Sequence, residues 1–170
     1  MGDFKLYTIQ ESTSYLFGSE GGGEVAWTTE SVANNAGRQS AFLDLNALTT
    51  ARATRFRYRF YTQFQATPTI DIVGLNLYLK TSDGTHPDND DGTGDVAVSA
   101  LSKLNNVDYL DSINVDQAAA NIEMVTHGEF DCFTRYLAFV LWNVSGAAIT
   151  ADAAETKLQL WAIPPYMKAE

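Results

Sequence analysis

Three features of the sequence predict an all-β fold, a single-domain antiparallel jelly roll or β-sandwich with one short helix. Short runs rich in β-branched and aromatic residues recur, clusters of turn-forming residues separate them, and little of the chain has helical spacing. We expect residues 25–170 to form this domain. Residues 1–24 are predicted to be an N-terminal arm and a flexible Gly-rich loop.

The clearest predicted strand lies at the start of residues 55–64. Three basic residues alternate there with three aromatic ones, in the order Arg55, Phe56, Arg57, Tyr58, Arg59 and Phe60. A period of two puts the rings on one face of a strand and the guanidinium groups on the other. A slip of one residue would bury three arginines, so the register is strongly fixed. We predict a central strand whose aromatic face lies on the core.

The arginine face of this strand has two interpretations. Carboxylates on neighbouring strands, such as Asp44 or Asp71, would pair with Arg55, Arg57 and Arg59 across the sheet. Alternatively, the face docks onto an acidic partner or a second subunit, because arginine is enriched at protein interfaces.

The other elements follow from alternation, spacing and breakers. Residues 3–10 form an arm or an edge strand, and the further predicted strands cover residues 40–45, 70–80, 109–115, 122–126, 133–144 and 156–163. Gly74 marks a bulge where the alternation changes phase, and Gly128 ends a strand. Residues 96–106 have apolar side chains three apart and are the predicted helix, with a weaker helical run at residues 117–120.

Charge and cysteine content exclude several classes of partner and site. The formal net charge is −10, and residues 83–131 hold eleven carboxylates against one basic residue, Lys103. Phosphate backbones and anionic membranes would repel such a chain, so we expect neither nucleic acid nor membrane as a partner. Cys132 is the single cysteine, which excludes an internal disulfide and a thiolate zinc site. No signal-peptide pattern is present, and synthesis in a host cytoplasm is expected.

The turn-rich segment at residues 81–95 is the candidate metal site. It contains five hard oxygen ligands of the kind that calcium binds: Asp83, Asp88, Asp90, Asp91 and Asp95. The spacing does not fit the helix–loop–helix calcium pattern, since Pro87 would occupy the first ligand position. Either the segment is a solvated loop without any cofactor, or it binds Ca²⁺.

No catalytic constellation is visible, and we expect no enzymatic activity. His86 lies in the acidic segment, no serine has the nucleophile-elbow pattern, and Cys132 lies beside an apolar run as a small core residue would. The residues for a catalytic pair, Cys132 and His127, are present in the sequence, but their positions give no support for such a pair. The tryptophans are predicted to be core residues rather than a sugar-binding platform: Trp27, Trp142 and Trp161.

A series of short stretches carries a resemblance to a known group of proteins. They lie at residues 35–40, 55–59, 65–69, 81–85, 103–106, 135–136, 142–143 and 163–165. In this order the chain resembles head decoration, or cement, proteins of tailed bacteriophages, which have a jelly-roll or β-sandwich core. The resemblance covers roughly residues 25–166.

The resemblance implies a non-enzymatic virion structural protein on the outer surface of the head. Its partners would be the major capsid protein and further copies of the chain, with a homotrimer favoured. The family has no active site, so no functional residues are transferred. A second hypothesis is a tail or fibre module that binds a host-surface glycan, which requires the tryptophans and the acidic segment to be exposed together. A third is a cytoplasmic enzyme of unknown type.

Overall fold

The structure, a computed structural model, describes residues 14–18, 25–47, 53–69 and 71–163. These residues form eleven strands: β1 Ser14–Gly18, β2 Val25–Ala26, β3 Ala36–Gln39, β4 Leu43–Asp44, β5 Arg55–Thr62, β6 Val73–Ser82, β7 Val96–Val98, β8 Asp108–Asn114, β9 Met124–Asp131, β10 Tyr136–Asn143 and β11 Lys157–Ile163. They lie in two sheets, which confirms the predicted all-β sandwich.

The two sheets are almost entirely antiparallel. Sheet A has the order β2-β1-β11-β5-β9, and sheet B has the order β7-β3-β10-β6-β8, with β4 also paired to β10. The side chains between the sheets form one core whose largest fully buried members include Trp27, Phe17, Phe56, Phe60 and Phe139. A hydrogen bond also joins the two sheets: the Tyr58 hydroxyl of β5 donates to Asp111 Oδ2 of β8 at 3.1 Å.

Strand β5 has the orientation that its alternation predicts. The rings of Phe56 and Phe60 are fully buried, whereas the intervening arginines are exposed. Phe56 stacks on Phe130 of β9 with 5.5 Å between ring centroids, and Phe60 stacks on Trp27 at 5.7 Å. Burial of apolar area on this scale stabilises the fold by about 1.5–3 kcal/mol per side chain.

A further layer of chain covers the outer face of sheet B. Val98, Leu104 and Val107 pack against Val140 and Trp142 of β10 and form a small second core. Seven consecutive residues of β10 are therefore buried, on both faces of the strand. Such a strand has a continuous apolar sequence rather than an alternating one.

The predicted helix at residues 96–106 is wrong. Residues 96–98 form β7, and Leu101–Asn106 is a 3-10 helix, as are the shorter Leu45–Ala47 and Ala153–Glu155. A spacing of three fits the 3.0 residues per turn of a 3-10 helix as well as it fits one face of an α-helix. The apolar side chains three apart are Val98, Leu101 and Leu104, of which Leu101 is 56% exposed and only the other two are buried.

Several predicted boundaries also differ. Residues 14–18, assigned to the arm, form β1 inside sheet A with Phe17 fully buried. Of the strand expected at residues 40–45 only Leu43–Asp44 is formed, as β4, while β3 ends at Gln39 just before it; residues 117–120 form no helix. The predictions for residues 3–10, for most of the Gly-rich loop and for residues 164–170 of the domain lie outside the described residues.

The predictions for Gly74 and Gly128 had opposite outcomes. Gly74 does lie at a register shift between β6 and β8, which confirms the bulge. Gly128 does not end a strand but lies within β9, opposite Tyr58. A Cβ at Gly128 would lie 2.7 Å from the Tyr58 hydroxyl, so this position has room for glycine alone.

Candidate interaction surface

The outer surface of sheet A is formed by β11, β5 and β9 and carries the predicted arginine face. In antiparallel sheets, residues directly opposite one another lie on the same face. The outward side chains of these strands are Arg55, Arg57, Arg59, Tyr61, Val125, His127, Glu129, Asp131, Lys157, Gln159, Trp161 and Ile163. We call this set the basic face, since it has four basic residues against two carboxylates.

The arginines do pair with a carboxylate, but not with the ones that the sequence suggested. Arg55 Nη2 donates to Glu129 Oε2 at 2.8 Å, and Arg57 Nη2 donates to Glu129 Oε1 at 3.2 Å. The hydrogen bonds from Arg57 and Arg55 hold the pKa of Glu129 below its usual value. Asp44 instead forms a two-point ion pair with Arg135, and the proposed pairing with Asp71 is absent among the described contacts.

Arg59 has a different environment. It lies opposite His127 on one side and Gln159 on the other, and it forms no ion pair with a described residue. Its guanidinium carbon is 4.9 Å from the centre of the Tyr61 ring, a cation–π contact. The guanidinium donors therefore stay available at an exposed position.

A shallow groove with a volume of about 640 Å³ crosses the basic face. Its walls include Arg57, Arg59, His127, Glu129 and Trp161. Trp161 is only partly buried, whereas Trp27 and Trp142 are core residues as predicted. The groove therefore combines cationic groups, one carboxylate and one aromatic surface.

Each of the five aspartates of the predicted calcium site has its own protein partner. Asp83 accepts hydrogen bonds from the backbone N–H groups of His86 and Thr85, which lower its pKa to about 2. The partners of the other four are as follows: Asp88 with the Thr81 N–H, Asp90 with Lys103, Asp91 with Ser99, and Asp95 with Arg38 and Thr28.

These carboxylates do not converge. Across the described residues, which include all five aspartates, no three histidine, cysteine or acidic side chains are placed to hold a metal ion. The described contacts direct each carboxylate to its own donor, as a solvated loop would have it, and Ca²⁺ binding by this segment stays an untested alternative.

A cation lies against this segment that the sequence did not reveal. Lys80 of β6 is fully buried beneath the layer, and its Nζ donates to Gln39 Oε1 at 2.6 Å and to the Gly92 carbonyl at 2.7 Å. Burial lowers the pKa of Lys80 to about 8, while the charge of Asp91 opposes that shift. Lys80 therefore supplies positive charge next to the segment for which the sequence left either a solvated loop or a bound Ca²⁺ open.

The histidines and the cysteine are not brought together. Cys132 is buried and forms a contact with the Thr134 hydroxyl, whereas His127 lies on the exposed face of β9. Five residues of extended chain separate them, which corresponds to ~16 Å. His86 pairs with Asp83 in the exposed loop.

Known proteins give no further identification. No protein-family model matches the chain, and no curated protein matches its sequence. None of the described helices is long and apolar enough to cross a membrane.

Proposed function

We propose that this protein is a non-enzymatic virion structural protein, a capsid decoration subunit on the outer surface of a tailed-phage head. In this proposal the basic face docks on the major capsid protein, while residues 83–107 over sheet B, which we call the acidic layer, face solvent. The stabilising effect would come from many copies, each bridging neighbouring capsid subunits.

One observation carries the proposal: the basic face has a net positive charge, whereas the chain as a whole is strongly negative. It holds four basic side chains and two carboxylates, in a chain with a formal net charge of −10. Arg55 and Arg57 keep 60% and 52% of their side-chain surface exposed. An exposed surface with a net positive charge steers association with a negatively charged surface.

The order of the strands supports a jelly roll as the finer fold. The pairs β1–β11, β3–β10, β5–β9 and β6–β8 are nested, so that the first strand pairs with the last and each inner pair lies within the next. Winding one long antiparallel hairpin into two sheets gives such nesting, and double-sheet jelly rolls are common among capsid domains.

The proposal includes a homotrimer because a capsid surface repeats the same binding site many times, so that several linked copies can bind together. Linked copies that bind together gain avidity without any new contact per copy. A weakly binding basic face is then sufficient for stable decoration.

The glycan-binding alternative has less support. It requires the tryptophans and the acidic segment at one surface, but Trp27 and Trp142 are buried. Trp161 lies on sheet A, on the side away from the segment that covers Lys80.

Immunogold labelling of intact virions with antiserum against the protein tests the proposal. We expect gold over the whole head surface, and greater resistance of decorated heads to heat and low salt. Label confined to the tail tip would favour the glycan-binding module, and virions without any label would contradict both.

A further inference from the structure

The basic face has two unlike halves. In one half, Arg55 lies opposite Asp131 and Arg57 lies opposite Glu129, so two cations face two carboxylates. We call this the balanced half. The other half, which we call the acid-free half, consists of Arg59, Tyr61, Val125, His127, Lys157 and Gln159.

The acid-free half is held in place by its own contacts. Arg59 and Lys157 both lie over the Tyr61 ring, at 4.9 and 5.7 Å from its centre. The Tyr61 hydroxyl donates to Gln159 Oε1 at 3.2 Å, and Lys157 Nζ donates to the Ala154 carbonyl at 2.9 Å. A surface ordered before binding loses less conformational entropy when a partner arrives.

The carboxylate at the end of this half is engaged elsewhere. Glu155 accepts a hydrogen bond from Gln63 Nε2 at 2.6 Å. Within the part of the chain that the structure describes, no ion pair joins Arg59 or Lys157 to an acidic side chain. The positive charge of this half is therefore not neutralised locally by a described carboxylate.

We propose that the acid-free half binds carboxylate side chains on the surface of a protein partner, and that Arg59 is the main determinant of that binding. This inference rests on the proposed decoration function, of which it names the contact chemistry. The planar guanidinium presents parallel donors that match a carboxylate, and an aromatic neighbour limits the side-chain freedom that is lost. In the balanced half, an incoming carboxylate would compete with Glu129 for Arg55 and Arg57.

Two other occupants fit the charge pattern less well. A nucleic acid presents a long run of phosphates, which would extend past the acid-free half onto Glu129 and Asp131 of the same face and be repelled there. A second copy would offer its acidic layer, but that layer covers Lys80 on the outer face of sheet B, opposite the basic face. Contact between two faces that point in opposite directions is head-to-tail without the rotation that would close a ring, so it builds open filaments.

The experiment compares Arg59→Ala with Arg55→Ala, two exposed arginines on the same face of the same strand. Each variant and the wild type are titrated against purified heads assembled without this protein, and against a fluorescent hexaglutamate peptide at low salt. Circular dichroism and thermal unfolding verify that both variants fold. We expect Arg59→Ala to weaken both interactions by about tenfold or more, and Arg55→Ala by less than about threefold.

The outcomes separate the inference from the function on which it rests. If the wild type binds heads but the two variants lose affinity equally, or not at all, the inference is overturned and the decoration function stands. If the wild type does not bind the heads, the decoration function fails. Selective loss of peptide binding in Arg59→Ala would still support a carboxylate site in that case. If sedimentation shows a wild-type oligomer that Arg59→Ala dissociates, the acid-free half belongs to a second copy and the inference is wrong.

Discussion

The two outer faces of this sandwich differ in how much further chain covers them. The outer face of sheet B is covered by residues 83–107, which add a small core around Val140 and Trp142 and enclose Lys80. The outer face of sheet A has no comparable described layer and presents arginine, histidine and carboxylate groups.

This difference separates structural charge from charge that is available for binding. Lys80 is fully buried and satisfies acceptors of its own chain, whereas Arg59 is exposed and contacts a tyrosine ring. A buried charge acts on stability, since its loss leaves acceptors unpaired. An exposed charge without an ion pair has little effect on stability, so its effect is expected in binding.

The largest expected effect contrasts the two sides of β5. Phe56→Ala should lower the free energy of unfolding by about 3–5 kcal/mol, because it removes a fully buried ring that stacks on Phe130. Arg59→Ala on the outer side should change it by less than about 0.5 kcal/mol. Urea denaturation measures both. A loss below about 1 kcal/mol for Phe56→Ala would contradict the assignment of the buried face.

A smaller effect tests the internal cation under the acidic layer. Lys80→Met leaves Gln39 Oε1 without its donor and the Gly92 carbonyl with only its longer bond from Gln39 Nε2, so we expect a loss of about 1–3 kcal/mol. Hydrogen exchange should show faster exchange of amides in the 83–95 segment. Lys103→Met, which removes only a surface ion pair with Asp90, is the matched control and should cost less than about 1 kcal/mol. Equal effects of the two changes would show that the burial of Lys80 is unimportant.

The smallest effect is a pH dependence from the same lysine. Burial lowers the pKa of Lys80 to about 8, against 10.5 for the ordinary side chain. Below pH 8 the lysine is protonated in both the folded and unfolded chains and adds no pH dependence. Between the pKa of Lys80 in the folded chain and its pKa in the unfolded chain, the unfolded chain binds more protons than the folded chain, so stability should rise with pH. The wild type should therefore gain stability relative to Lys80→Met from pH 8 to about 9.5. A flat difference in the unfolding free energies would rule out the lowered pKa.

The sequence predicted the parts of the fold that depend on local alternation. Arg55–Thr62 has its predicted strand and buried face because each aromatic side chain points to the same side. Residues 96–106 were assigned wrongly because the apolar spacing fits either helix type, and packing against β10 decided between them. Gly128 was misread as a break because its role depends on the Tyr58 ring across the sheet.

The candidate surface was predictable only in part, for the same reason. The exposure of the arginines follows from their own strand, but their partner Glu129 lies more than seventy residues away and is fixed by the register of β9. The alternation of His127, Glu129 and Asp131 along β9 was the available signal. The burial of Lys80 could not be inferred, since the layer that covers it comes from a later segment with turn-forming residues.

The most direct test of the docking face uses two natural lysines on opposite sides of the molecule. Lys157 lies on the basic face, and Lys103 lies in the layer over sheet B. Acetylation of the free protein and of decorated heads, followed by mass spectrometry, reports the accessibility of each. We expect modification of Lys157 to fall strongly on the heads while that of Lys103 is unchanged. Protection of Lys103 with Lys157 still reactive would mean that the acidic layer, and not the basic face, contacts the capsid.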